Sequence, residues 1–140
     1  MSEDKSFFDT NVLLYLLSGD PEKADRAEAL LAQGGVISVQ ILNEFAAVAS
    51  RKLGLSYPEI REILQTVRQV CKIHPVTLET HDLGFRIAER YGFSFYDALI
   101  IAAALLANCS TLYSEDWQEA QIINGQLIIR NPFAGESWKH

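Results

Sequence analysis

The chain has 140 residues, enough to bury one core and too few for two ordinary domains, so one domain spanning residues 1–140 is expected. Hydrophobic residues make up 49% of it and charged residues 21%, a balance that excludes a disordered polymer. The formal charge of −6 argues against nucleic-acid binding through a broad basic surface.

From the N-terminus, the acidic start Met1-Ser2-Glu3-Asp4-Lys5 lacks the basic onset of a secretory signal, and a cytoplasmic location is expected. Ser6-Phe7-Phe8 is β-prone, and Asn11 to Leu17 can wind into a helix. Asp20-Pro21 pairs a capping residue with a proline at the first helical position, and Gly34-Gly35 closes that helix. Gly35 to Ser38 is read as a second strand, with Ser38 capping a helix that runs to Gly54. Ser56-Tyr57-Pro58-Glu59 is a capping box opening a helix to about Cys71, and Ile73 to Thr77 is a third strand. Thr80 is expected to cap a helix ending at Gly92. Ser94-Phe95-Tyr96-Asp97 repeats the capping-box pattern ahead of an all-apolar run, Ala98 to Ala107, that belongs in an interior and is too short to span a membrane. Ser110 to Tyr113 and Gln126 to Arg130 complete the strands. Short strands alternating with longer helices define an α/β class with a mostly parallel sheet, whose ligand site should lie at the strands' carboxyl ends.

Cys71 and Cys109 have no C-x-x-C spacing and are read as buried reduced thiols. Most of the 18 acids suit helix starts or solvated faces. Asp9, Glu44, Asp97 and Asp116 differ, because each borders strongly apolar sequence near the expected carboxyl end of a strand. Each also has a bland role open to it. Asp97 can be the capping-box acid of Ser94, Asp9 can end a strand in an Asx turn, Asp116 can cap the turn after Tyr113, and Glu44 alone is hard to dismiss. Gathered together they would repel: two unit charges about 4 Å apart cost roughly 4 kcal/mol at an effective dielectric near 20. Such a cluster raises its own pKa values or recruits a cation, and carboxylate oxygens without Cys or His select Mg²⁺ or Mn²⁺.

Phe7-Phe8-Asp9-Thr10-Asn11-Val12-Leu13, then Asn43-Glu44, then Tyr96-Asp97-Ala98-Leu99-Ile100-Ile101-Ala102-Ala103, then Ser114-Glu115-Asp116 resemble, in order and spacing, the acidic motifs of the PIN-domain family, and most closely its VapC-type toxins. The resemblance covers Phe7 to about Phe133. It implies a three-layer α/β/α sandwich and a metal-dependent endoribonuclease, the toxin of a type II toxin–antitoxin pair, with RNA as substrate, a small antitoxin as partner and a homodimer as assembly. It also implies that Asp9, Glu44, Asp97 and Asp116 bind Mg²⁺ or Mn²⁺ and support cleavage, with Asn11 orienting the first carboxylate. The last motif more often carries Thr where this chain has Ser114, and the neighbouring Glu115 competes with Asp116 for the fourth acidic position.

Other readings lose on particular residues. A receiver domain needs an Asp after its third strand, where His74-Pro75-Val76-Thr77 stands, and a late lysine, but no Lys falls between Lys72 and Lys139. A haloacid-dehalogenase phosphatase needs a second Asp where Asn11 stands, and His74, His81 and His140 have no spacing that would pair them for general acid–base work. Phosphate-binding glycine loops are absent from the sequence. A non-catalytic PIN-like partner-binding module is the remaining alternative. Arg51, Lys52, Arg61, Arg68, Arg86 and Arg90 are candidates for holding RNA phosphates.

Overall fold

The computed structural model describes residues 5–133; Glu3, Asp4, Glu136, Lys139 and His140 lie outside the described residues. Strand β1 (Ser6–Phe8) runs into helix α1 (Thr10–Leu14), which tightens into a 3₁₀ turn over Tyr15–Leu17. Helix α2 (Pro21–Ala32) starts as expected, with the Asp20 side chain accepting from the Glu22 N–H and Pro21 at the first helical position. Strand β2 (Gly35–Ser38) leads into α3 (Val39–Arg51), which stops short of Gly54. Helix α4 (Tyr57–Val70) carries the expected capping box between Ser56 and Glu59. Strand β3 (Cys71–His74), α5 (Leu78–Tyr91), α6 (Phe95–Leu106), β4 (Thr111–Tyr113), β5 (Ile122–Ile123) and β6 (Leu127–Arg130) complete the order.

The sheet is six-stranded in the order β3-β2-β1-β4-β6-β5, parallel except for β5, which pairs antiparallel with β6. Consecutive strand residues point to opposite faces, and Phe7 with Phe8, and Val36 with Ile37, are all buried. Both faces are therefore covered by helices, the three-layer α/β/α arrangement. Helix α6 is buried from Ala98 through Leu105, as an all-apolar helix must be. Successive parallel strands add outward on one side of β1, then β4 joins on the other, so the chain direction across the sheet reverses between β1 and β4. That switch point opens a crevice beyond the carboxyl ends of the two strands.

Several local expectations are corrected. β3 begins at Cys71, not Ile73, and ends before Pro75, which has no N–H for the ladder. Thr77, not Thr80, is the cap of α5; Thr80 is its reciprocal partner three residues on. Ser38 stands at the cap position of α3, but its side chain makes no capping bond and its hydroxyl is buried without a partner among the described residues. The Ser94 hydroxyl accepts from the Asp97 N–H, yet among the described residues the return bond from the Ser94 N–H to the Asp97 carboxylate is missing, so only half of that box forms. Strand β5 was not expected; it closes a hairpin through Asn124-Gly125, whose φ values of 51° and 65° both lie in the left-handed region a tight hairpin requires. Cys71 and Cys109 are free and buried as expected, and burial pushes both thiols up to about 11.

Candidate active site

Asp9 is set by the first of the two switch-point strands. Its backbone N–H donates to the Tyr113 carbonyl at 3.0 Å, extending the β1–β4 pairing one step beyond Phe8. In this position Asp9 caps α1: Oδ1 accepts from the Thr10 N–H at 2.7 Å. The second oxygen, Oδ2, accepts from the Ser114 hydroxyl at 2.8 Å and lies 3.4 Å from Asn11 Nδ2. Only 4% of Asp9 is exposed. Burial pushes its carboxyl from 3.8 up to about 7; the Ser114 and Thr10 donors oppose that rise, and the charges of Asp116 and Glu44 add to it. Asp9 does follow the end of a strand, but it caps helix α1 instead of closing an Asx turn, and a solvated cap leaves no such perturbed carboxyl.

Helix α3 buries Ile41, Phe45 and Ala49, which leaves Glu44 half-buried at the border of that stripe. Two donors fix its carboxylate. The Thr10 hydroxyl donates to Oε1 at 2.7 Å, and Gln40 Nε2, one helical turn earlier, donates to Oε2 at 2.9 Å. The same Gln40 amide reaches the Tyr96 carbonyl at 3.2 Å, tying α3 to the start of α6. Asp97 sits in the first turn of α6, where the helix dipole favours an anion, and its Oδ2 accepts from Trp117 Nε1 at 3.3 Å. It is thus turned toward the loop after β4 and away from its cap. Asp116, exposed in that loop, donates its backbone N–H to the Ser114 hydroxyl at 3.1 Å. Ser114 is fully buried and so links Asp9 to the segment that carries Asp116.

Asp9, Glu44, Asp97 and Asp116 all line one crevice of about 320 Å³, together with Thr10, Asn11, Ala47 and Val48. Glu115 does not join them. Its Oε1 accepts from the Tyr15 hydroxyl, and it faces the adjoining hollow with Lys52 and Leu53. Of the two candidates for the fourth position, Asp116 is the one in the crevice. Asn11 Oδ1 is buried in this wall with no protein partner among the described residues, while its amide nitrogen faces Asp9.

The donor set fits a hard, hydrated divalent cation: carboxylate oxygens, one orphaned amide oxygen, and a buried acid whose ionised form lacks a cation to offset it. Among the described residues no three His, Cys, Asp or Glu side chains form a closed ligand cage as they stand. Mg²⁺ usually keeps several waters and is held by one or two carboxylates plus substrate phosphates, so an open acidic crevice suits it. Thr10, Gln40 and Trp117 were not expected from sequence as site residues. Gln40 lies four residues before Glu44, a spacing that signals contact on a helix; Thr10 meets Glu44 from 34 residues away and Trp117 meets Asp97 from 20, so neither carries a local signal.

Acids from four separate segments thus face one crevice at the switch point of an α/β sheet, where this class of fold places its ligand sites. The chain belongs to the PIN domain family, whose profile matches residues 6–122. The four acidic motifs bore that resemblance in sequence. Among solved structures it is similar to a chain of a toxin–antitoxin complex from Klebsiella pneumoniae (TM-score 0.70, 22% identity, 92% of this chain and 98% of that one). It is similar to Mycobacterium tuberculosis VapC20, a toxin that cleaves the sarcin–ricin loop (0.65, 20%, 80% and 90%). It is also similar to a chain of Rickettsia felis VapBC2 bound to a DNA fragment from its promoter (0.65, 20%, 90% and 97%). At these identities the likeness is one of fold. A comparison with curated protein sequences yields no significant match.

Proposed function

We propose that the chain is a Mg²⁺- or Mn²⁺-dependent endoribonuclease, a single cytoplasmic domain over residues 1–140 that acts as the toxin of a type II toxin–antitoxin pair. The observation that carries this reading is the buried Asp9 carboxyl, raised to about 7, facing one crevice with Glu44, Asp97 and Asp116. PIN domains are generally nucleases, and PIN-domain nucleases generally use divalent metals. Asp9, Glu44, Asp97 and Asp116 would hold the ion, with Asn11 Oδ1 as a further oxygen. When bound, the ion supplies an acidified water and offsets charge on the phosphoryl oxygens.

The chain's own residues prepare that site. Ser114 and the Thr10 N–H fix both oxygens of Asp9, Thr10 and Gln40 fix those of Glu44, and Trp117 turns Asp97 inward. Fixed donors remove the reorganisation that freely rotating carboxylates would require. Glu115 plays a supporting part by bracing Tyr15 beside the crevice. The toxin role and the antitoxin partner are supported by the toxin–antitoxin complexes among the similar structures. Exposed Leu78 and Phe85, seven residues apart on one face of α5, offer apolar surface suited to a homodimer contact.

The test incubates the purified protein with RNA, with and without EDTA, beside Asp97→Asn. Cleavage that stops on chelation, returns with Mg²⁺ or Mn²⁺ and is lost in the variant supports the reading. Cleavage surviving both treatments refutes it.

A further inference from the structure

The acidic crevice continues along α3. Gln40, Glu44, Ala47 and Arg51 are spaced at i, i+4, i+7 and i+11 and share one face of that helix. Ala47 lines both the acid crevice and a second hollow of about 270 Å³, whose walls are Ala46, Ser50, Arg51 and Tyr57. At 1.5 Å per residue, Arg51 lies about 10 Å beyond Glu44 along the axis, a short step along an extended single strand. Tyr57 is 71% exposed and lines this hollow, so its ring is open to a ligand. It stands in the first turn of α4, anchored by Pro58 and by the Ser56–Glu59 capping box, so the ring projects from a fixed base. Among the described residues, neither the Arg51 guanidinium nor the Tyr57 hydroxyl has a hydrogen-bond or ion-pair partner.

We infer that this hollow seats an unpaired nucleotide of the RNA strand next to the cleaved bond, its base stacked on Tyr57 and its phosphate held by Arg51; the inference rests on the nuclease reading above. The small side chains of Ala46, Ala47 and Ser50 leave the floor open, and an aromatic ring beside a guanidinium is the pairing that holds single-stranded nucleic acid without base-specific contacts. A duplex does not offer its base faces, so the site selects unpaired or splayed RNA. In a chain of net charge −6, Arg51 places positive charge in this hollow and Lys52 places it in the hollow that adjoins the acid crevice at Asn11, Leu14 and Val48. Arg51 also occupies the last turn of α3, where the helix dipole favours any cation. If that were its whole role, lysine would serve as well; a phosphate held by the guanidinium fork discriminates between them.

The experiment compares wild type, Tyr57→Ala, Tyr57→Phe, Arg51→Ala and Arg51→Lys with Mg²⁺ on a single-stranded oligoribonucleotide and on bis(p-nitrophenyl) phosphate, with melting curves to show that each variant folds. The ratio of oligonucleotide to small-diester turnover is expected to fall about tenfold in Tyr57→Ala, mainly through KM, and to stay near wild type in Tyr57→Phe. An abasic nucleotide walked through the substrate should cost wild type a similar factor at one flanking position and cost Tyr57→Ala nothing further there. Arg51→Ala should lower the salt dependence of KM by about one phosphate contact, with Arg51→Lys intermediate. An unchanged ratio in folded Tyr57→Ala overturns the inference, including the case in which that variant loses only antitoxin binding. Wild type inert on both substrates refutes the nuclease reading itself, and this inference with it.

Discussion

Replacing Asp9 by Asn should abolish cleavage and at the same time stabilise the metal-free protein. A carboxyl raised in the folded state from 3.8 to about 7 corresponds to about 4 kcal/mol at 1.36 kcal/mol per tenfold change. Below pH 4 both folded and unfolded chains hold the proton, and Asp9 imposes no penalty. Between pH 4 and 7 the unfolded chain releases it while the folded chain keeps it, so folded stability declines; above 7 the full loss is in place. Asn keeps the acceptor for the Thr10 N–H but must reverse the Ser114 hydrogen bond, so a net gain of about 2–3 kcal/mol at pH 8 is expected. Urea titrations in EDTA at pH 8 and pH 4.5 measure it: with m near 2 kcal/mol per molar, the midpoint of Asp9→Asn should lie roughly 1 M above wild type at pH 8. At pH 4.5 the pH-dependent part of the gap shrinks to about 1 kcal/mol. Mg²⁺ at about a hundred times its Kd should raise wild type by about 2.7 kcal/mol and leave the variant where it was. Wild-type and variant midpoints that stay equal across this pH range would refute the claim that Asp9 is a buried acid without its own counter-charge.

Ser114→Ala removes both a donor to Asp9 Oδ2 and the acceptor for the Asp116 N–H, costing about 1–2 kcal/mol in urea unfolding at pH 8. Because that donor lowers the Asp9 pKa, the rising limb of the pH–rate profile should move to higher pH, and Ser114→Thr should restore it. Gln40→Ala leaves Glu44 with Thr10 as its remaining donor, so kcat should fall several-fold while unfolding free energy changes by less than about 1 kcal/mol; Gln40→Glu should be worse, by like-charge repulsion. Gly35→Ala would place a Cβ 2.4 Å from the Phe8 ring and 2.7 Å from the Ser6 carbonyl oxygen, so a loss of about 3 kcal/mol, or roughly 10 °C in calorimetric Tm, is expected.

The sequence was most legible where local chemistry and tertiary demand agree. The Asp20-Pro21 and Ser56–Glu59 signals, the Gly35–Ser38 strand and the all-apolar run from Ala98 appear in the structure as their local patterns dictate. Errors fell where two local solutions are nearly equal and distant contacts choose between them. Thr77 and Thr80 can each cap α5, and the end of β3 is set by its pairing with β2, where Gly35 faces Cys71 and Ser38 faces His74. Asn124-Gly125 is a hairpin signal that went unread because the two-residue strand before it, β5, has too little periodicity to stand out. In the crevice, motif order put forward the four acids that line it, yet what holds them was hidden. The Ser94–Asp97 spacing offers Asp97 a capping role, and only Trp117, twenty residues further on, shows that its carboxylate is committed elsewhere. Which of Glu115 and Asp116 enters the crevice likewise depends on Tyr15, a hundred residues earlier in the chain.

Diffraction from crystals soaked in Mn²⁺ reports directly on whether these acids form a single cation site. An anomalous peak in the crevice bounded by Asp9, Glu44, Asp97 and Asp116, lost in Asp97→Asn crystals, is the expected result. A crevice without a peak at saturating Mn²⁺, or ions bound only to other carboxylates on the surface, would contradict it.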